Sequence, residues 1–100
     1  MILLRTEMGD ILRDYRTERK MTLRVVALKA NISPAYLSEV ERGQNEVSSE
    51  LLVAIVDALD VPLSRMLMEV ADRLALFEEY TPSTPIPDSI PDDFFLGTGR

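Results

Sequence analysis

The segment SPAYLSEVERG, residues 33–43, groups the side chains best suited to recognising another molecule. Ser33 can cap a helix with its hydroxyl, Pro34 suits the first helical turn, and Gly43 suits the position after the last turn. Leu37 and Val40 are spaced to form one buried face, so the remaining small and polar side chains face outward. The helix would also present unpaired amides at its N-terminus, which suit a phosphate group. These residue types favour the binding of another molecule rather than catalysis.

Residues that could support catalysis are scarce in this sequence. It contains no histidine and no cysteine, which removes the commonest general base, thiolate metal ligands and disulfides. The carboxylate neighbours at 78–79 and 92–93 have no converging partners, and the GTGR at 97–100 lacks the strand and helix that a phosphate loop requires. We therefore predict a protein that is not an enzyme and needs no metal or cofactor.

The spacing of apolar residues predicts five helices, and the third is the one that contains the segment above. The connection ANIS between the second and third helices is too short for them to lie antiparallel, so they must cross steeply, as in a helix-turn-helix. The predicted helices cover roughly residues 3–20, 22–31 and 33–42, a fourth that opens at Ser48 or Ser49, and a fifth from Pro62 to Tyr80.

The fifth helix carries apolar residues at intervals of four, three, four and three, which is the a/d pattern of a helix-pairing seam: Leu63, Leu67, Val70, Leu74 and Phe77. At about 1.5 Å per residue the helix is roughly 27 Å long, more than a four-helix core needs to cover itself. We expect the first two turns to pack in the core. We expect Val70, Leu74 and Phe77 to form a dimer interface with a second copy.

Residues 81–100 differ in composition from the rest, with four prolines, three aspartates and no helical period. Such a segment cannot bury enough apolar surface to order itself. We predict a domain over residues 1–80 and a disordered, acidic, proline-rich tail over 81–100. Phe94, Phe95 and Leu96 in this tail could anchor it to a partner protein or act as a degradation signal.

The net charge of -6 is distributed unevenly. Eight basic and six acidic residues precede or include Gly43, whereas three basic and eleven acidic residues follow it. A local field counts for more than the total, since charges are screened beyond about 8 Å at physiological salt. The candidates for a positive face are Arg13, Arg16, Arg19, Lys20, Arg24, Lys29 and Arg42.

The stretch MTLRVVALKANISPAYLSEVERG, residues 21–43, resembles the helix-turn-helix of the phage-repressor (Cro-like, XRE) family of bacterial regulators. With SSELLVAIVDALDVPLSRML at 48–67, the chain is most similar to the actinobacterial activators of Clp protease genes. The resemblance covers residues 3 to about 75. It implies an all-α, compact, lambda-repressor-like domain of five helices with an extended C-terminal helix.

The resemblance also implies roles for single residues. Glu39 would accept a hydrogen bond from cytosine N4, and Ala35 would pack on a thymine methyl group. Arg16 and Glu41 match the internal ion pair that links the first and third helices in this family. The residues expected at DNA are Arg24, Ser33, Pro34, Ala35, Tyr36, Ser38, Glu39, Arg42, Gln44 and Asn45, with Arg42 at a phosphate.

Four positions depart from the family pattern. Leu23 replaces a glutamine that touches the DNA backbone, and Asn31 replaces the common turn glycine. Glu46 and Val47 replace an asparagine and a proline after the third helix. We therefore expect fewer backbone contacts than the family usually makes.

Together these features predict a cytoplasmic, bacterial, sequence-specific regulator that binds double-stranded DNA as a homodimer at a near-palindromic operator. It would activate Clp protease or stress genes, with RNA polymerase as a partner and a protease acting through the tail. The short apolar run before Arg5 predicts neither a signal peptide nor a membrane span. The alternative is an antitoxin-like interaction module whose acidic tail binds a partner protein.

Overall fold

A computed structural model describes residues 3–78 of the chain, and these form an all-α fold. The predicted tail, and the last two residues of the predicted fifth helix, lie outside the described residues. Within them, the five helices occur in the predicted order: α1 (Leu4–Glu18), α2 (Leu23–Ala30), α3 (Pro34–Glu41), α4 (Ser49–Ala58) and α5 (Leu63–Glu78).

Hydroxyl caps fix where the three central helices begin. Thr22 Oγ1 accepts a hydrogen bond from the Val25 amide at 3.1 Å, and Ser33 Oγ accepts one from the Tyr36 amide at 3.0 Å. Ser48, rather than Ser49, caps α4, since its Oγ accepts from the Leu51 amide at 3.1 Å. Each cap is worth about 1 kcal/mol to a helix end.

Two residues with positive φ redirect the chain on either side of α3. Asn31 has φ 60°, as expected of a side chain that tolerates the left-handed region, and it ends α2 so that only three residues separate α2 from α3. Gly43 has φ +71° directly after the Arg42 cap of α3. These turns set the direction in which α3 enters and leaves the fold.

The core lies where all five helices meet. Helix α1 packs on α3 and α5, α2 packs on α3 and α4, and α4 packs on α5. Leu37 and Val40 anchor α3 as predicted, because both are fully buried. The other large side chains that are fully buried are Ile11, Leu12, Val26, Ile55, Val56, Leu59 and Met66.

The predicted seam of α5 is wrong in its first half. Met66, which is not one of the seam residues, is fully buried, whereas the seam residue Leu67 is 50% exposed. Helix α5 packs on α1 and α4 of its own domain, so its buried stripe follows the 3.6-residue period through Leu63, Met66 and Val70. Val70 is buried in this core and so is not available to a second chain.

Gly9 allows α1 to approach α3 more closely than any other residue would. A Cβ atom at this position would lie 2.6 Å from the Glu41 carbonyl oxygen and closer still to the Val40 carbonyl oxygen. Both obstacles are backbone atoms, so they cannot rotate away. The spacing between α1 and α3 therefore depends on the missing side chain.

We predict that Gly9→Ala destabilises the domain by at least about 2 kcal/mol, because overpacking at this contact forces the backbones apart. The sign is diagnostic, since glycine to alanine inside a helix otherwise stabilises by about 0.5–1 kcal/mol. Urea unfolding followed by circular dichroism measures the change. Asp10→Ala, at the exposed neighbouring position, is the control and should have little effect. A stabilised Gly9→Ala variant would contradict the close approach.

Candidate nucleic-acid interface

Helix α3 presents one edge of small and polar side chains to solvent. Pro34 and Ala35 are exposed at its first turn, and Ser38 and Glu39 are half-buried one turn later. Ser33 is exposed, but its hydroxyl is engaged as the cap. Tyr36 is half-buried and packs against the core, so part of its ring serves the fold. The predicted base-facing residues thus share a continuous edge.

Hydrogen bonds connect the predicted site residues to one another. Arg42 donates to Ser38 Oγ and to Gln44 Oε1, and Asn45 Nδ2 donates to Glu39 Oε1. The loop after α3 therefore folds back on the exposed edge of the helix. These contacts restrain the long side chains of Arg42 and Glu39 before any ligand arrives.

The ion pair between Arg16 and Glu41 joins α1 to the end of α3. Arg16 Nε donates to Glu41 Oε2 at 2.6 Å and Arg16 Nη2 donates to Oε1 at 3.0 Å, so the pairing is bidentate. Arg16 Nη1 also donates to the Met21 carbonyl oxygen at 3.0 Å. The side chains are 14% and 6% exposed. This pair, which the resemblance implied, holds α3 at a fixed orientation on α1.

Beside this ion pair lies a cleft of about 220 Å³ between α1, the start of α2 and α3. Arg13 and Arg42 are exposed at the cleft, and Leu23 contributes an apolar wall. Arg16 is neutralised by Glu41, which leaves Arg13 and Arg42 as the cations of the cleft. Arg24 is exposed on α2 next to Leu23. Three exposed arginines, Arg13, Arg24 and Arg42, thus flank α3 although the chain is acidic.

A helix-turn-helix family model matches residues 12–66. ClgR, a transcriptional regulator of Mycobacterium tuberculosis strain H37Rv, is 47% identical over 83 residues, which cover 83% of this chain and 74% of ClgR. The chain belongs to the ClgR-type transcriptional regulators of the XRE-type helix-turn-helix family. These are regulators and not enzymes.

Solved structures share the fold of this ClgR-type chain. The crystal structure of the clp gene regulator ClgR from Corynebacterium glutamicum has a TM-score of 0.73 and 44% identity, covering 78% of this chain and 83% of that one. The restriction-modification controller protein C.Esp1396I, bound to a 25 base pair operator site, has a TM-score of 0.69 and 22% identity, covering 74% and 97%. The second likeness is one of fold alone.

The structure separates the predicted dimer residues of this ClgR-type chain. Val70 is buried in the monomer, and Leu74 is half-buried against the same core. Phe77 lies on the same face of α5, yet it is 60% exposed because the helix extends past the core. Leu67 is also exposed. On this face of α5 the apolar surface open to a partner is formed by Leu67, Phe77 and part of Leu74, while Met68 and Leu76 are exposed elsewhere on the helix.

Sequence reasoning did not single out Arg5, which fastens α1 to the loop after α3. Its Nε donates to the Gly43 carbonyl oxygen at 2.9 Å, and its Nη1 donates to Glu46 Oε1 at 2.9 Å. The partners are 38 and 41 residues away in the sequence, so no local sequence pattern could predict these contacts. Glu46, one of the departures from the family pattern, has a structural partner in Arg5.

A second set of contacts fastens α5 to α1. Arg73 donates to Asp14 Oδ2 at 2.7 Å, and this hydrogen bond raises the pKa of Arg73. Tyr15, the next residue, packs under the guanidinium of Arg19. Burial raises the pKa of the Tyr15 phenol, and the negative charge of Glu69 raises it further. The hydroxyl of Tyr15 is buried without a hydrogen-bond partner among residues 3–78.

The helices of residues 3–78 are too short or too polar for any of them to cross a membrane.

We predict that Glu41→Ala destabilises the domain by about 3 kcal/mol or more, because it leaves the Arg16 guanidinium buried without its counter-charge. Chemical unfolding measures the loss. Glu46→Ala is the matched control, since its side chain is 82% exposed and its ion pair with Arg5 should be worth less than about 1 kcal/mol. Equal losses in the two variants would show that the Arg16 pair does not hold α3.

Proposed function

We propose that this chain is a homodimeric regulator of Clp protease genes that inserts α3 into the major groove of a near-palindromic operator. The observation that carries the proposal is the exposed edge of α3, held on α1 by the buried pair of Arg16 and Glu41 and flanked by uncompensated arginines. A major groove about 12 Å wide admits one α-helix, and its base edges offer a distinct pattern for each base pair. The ClgR of C. glutamicum is described as a clp gene regulator, which suggests the target genes.

Direct readout would rest on the first two turns of α3. Asn45 donates to Oε1 of Glu39, which leaves Oε2 to accept a hydrogen bond from cytosine N4. Ala35 is exposed at the N-terminal turn, where a methyl group suits a thymine methyl. Ser38, hydrogen-bonded to Arg42, lies between Ala35 and Glu39 along the helix. The edge thus combines one acceptor, one methyl and one hydroxyl.

Contacts to the DNA backbone would come from both ends of α3. In the first turn Pro34 has no amide hydrogen and the Tyr36 amide donates to the Ser33 cap, so the Ala35 amide would be the one to meet a phosphate, which helix N-termini favour. Arg42 at the C-terminal end and Arg24 on α2 would neutralise further phosphates, with Gln44 and Tyr36 at the edge of the contact. Phosphate contacts set the register of a protein on DNA, and base contacts set its specificity.

Dimerisation would bury the overhanging end of α5 and place two copies of α3 on successive turns of the duplex. Half-sites one helical turn apart are about 34 Å from centre to centre. The exposed Phe77 and Leu67 supply the apolar surface for this contact. In this scheme residues 1–80 are the DNA-binding and dimerising domain, working on cytoplasmic DNA. Whether the regulator activates depends on where the operator lies relative to RNA polymerase.

Selection of bound duplexes from a random pool with purified full-length protein tests the proposal. We expect an enriched near-palindrome whose two halves are spaced by one helical turn. Enrichment of no motif, or of a single unrepeated half-site, would overturn the proposal of a dimeric sequence-specific regulator.

We predict that Arg42→Ala weakens binding to all duplexes alike and reduces the slope of log K against log salt by about one, because one phosphate contact is lost. Fluorescence anisotropy at several salt concentrations measures both quantities. Arg65→Ala removes the same charge from an exposed position on α5 and should leave the slope unchanged. A change of sequence preference in Arg42→Ala would argue for a base contact instead.

We predict that Glu39→Ala changes which base is preferred at one position of each half-site, with about 1–3 kcal/mol less discrimination there. Repeating the duplex selection with this variant measures the change. Glu50→Ala, which removes an exposed carboxylate from α4, should select the same motif as the unmodified protein. An unaltered motif in Glu39→Ala would remove this residue from the readout.

We predict that Phe77→Ala raises the dimer dissociation constant at least about ten-fold, since each of the two copies loses a buried aromatic side chain. Sedimentation velocity over a concentration series measures the constant. Leu76→Ala is the control, because Leu76 is 77% exposed and lies about 100° around α5 from Phe77. Equal effects of the two substitutions would locate the dimer contact elsewhere.

A further inference from the structure

We propose that the cleft between α1 and α3 binds the segment Asp92–Asp93–Phe94–Phe95–Leu96 of the same chain, and that DNA must displace this segment. We call residues 92–96 the acidic aromatic segment. The cleft would hold one phenyl ring and two carboxylates. Docking itself stands on the structure and the sequence, and its effect on DNA binding rests on the proposed function.

The cleft has room for an aromatic side chain and one apolar wall, Leu23. Its volume is about 220 Å³, and an apolar cavity of about 150 Å³ already binds benzene. Leu23, where the family pattern has a polar glutamine, gives the cleft an apolar wall. It is lined by Arg13, Arg16, Leu23, Ser38, Glu41 and Arg42.

The charges of the cleft call for an acidic ligand. Glu41 neutralises Arg16, but Arg13 makes no ion pair within residues 3–78. Over the same residues, the hydrogen bonds of the Arg42 side chain go to the neutral Ser38 and Gln44. Two cations therefore remain beside an apolar wall. Carboxylates can pair with both guanidinium groups, and an aromatic face can pack against either.

The acidic aromatic segment has the matching chemistry. In this sequence it is the only place where two adjacent carboxylates are followed directly by two aromatic residues. Asp92 and Asp93 would face the two arginines, and Phe94 or Phe95 would enter the cleft beside Leu23. The carboxylates and the phenyl rings are adjacent in the segment, just as the two arginines and the apolar wall are adjacent in the cleft.

The length of the connection allows the segment to reach the cleft. Arg73 on α5 is bonded to Asp14 at 2.7 Å, and Asp14 is the neighbour of Arg13 on α1. Glu78 lies five residues beyond Arg73, about 7.5 Å of helix. The thirteen residues 79–91 can span up to about 45 Å. A tethered segment has an effective concentration in the millimolar range, so weak docking suffices.

Docking would occupy Arg42, which the proposed function places at a DNA phosphate, and Arg13, which lines the same cleft beside α3. DNA phosphates and the carboxylates of the segment then compete for the same guanidinium groups. The apparent affinity for DNA falls in proportion to the fraction of protein with an open cleft. The segment would thus lower binding to DNA of any sequence, while a full operator would displace it.

Nuclear magnetic resonance of the full chain without DNA tests docking directly. We compare the unmodified protein with a Phe94→Ala, Phe95→Ala variant and with Ile86→Ala, Ile90→Ala, a control that removes two apolar side chains outside the segment. We expect the phenylalanine variant alone to shift the Leu23 methyl, the Ser38 amide and the Arg13 and Arg42 Nε–H signals. Unchanged signals, or shifts confined to other exposed apolar residues such as Leu28 or Met68, would overturn the proposal.

DNA binding supplies the second measurement. With the duplex selected above, we expect the phenylalanine variant to bind about three-fold or more tightly than the unmodified protein, and the isoleucine control to bind equally. All three proteins have the same charge, so general repulsion by the tail cannot produce the difference. Equal affinities would overturn competition with DNA. If no duplex is bound by any of them, the proposed function fails, whereas the magnetic resonance comparison still decides whether the segment docks.

Discussion

The contact between α1 and α3 is the constraint on which the rest of the molecule depends. Gly9 lets the two backbones touch, and the buried pair of Arg16 and Glu41 then fixes their mutual orientation. Such a pair adds little net stability compared with an apolar replacement, but its geometry is demanding, since a mispaired charge is costly. The contact between α1 and α3 therefore sets the direction in which the side chains on the exposed edge of α3 point.

The acidic composition of the chain and a basic surface around α3 are compatible because electrostatic effects are local. Carboxylates dominate after Gly43, whereas Arg13, Arg24 and Arg42 surround the helix that faces solvent. Screening over about 8 Å lets a ligand near α3 experience mainly these arginines. The distant negative charge reduces non-specific attraction to polyanions, so binding depends more on a good fit. If the cleft also binds the acidic aromatic segment, DNA must bind tightly enough to displace that segment from the same arginines, and weak DNA sites do not.

Helix α5 has a buried part and an exposed part, although its apolar residues form one continuous pattern in the sequence. Its first part completes the core through Met66 and Val70, and Arg73 fastens it to Asp14 on α1. Its second part extends beyond the core, where Phe77 lies on the same face but is exposed. The same helix therefore contributes both to the core of the domain and to its exposed apolar end.

Features that depend only on neighbours along the chain could be predicted from the amino-acid sequence. The cap at Ser33 and the extent of the second helix over residues 22–31 were predicted, since each needs only a few adjacent residues. Their order identified the helix-turn-helix. Only the folded molecule shows which side of α5 is buried, the close approach at Gly9 and the hydrogen bond from Arg5 to Gly43. These depend on how distant helices pack, and periodicity specifies that a face is apolar but not what lies opposite it.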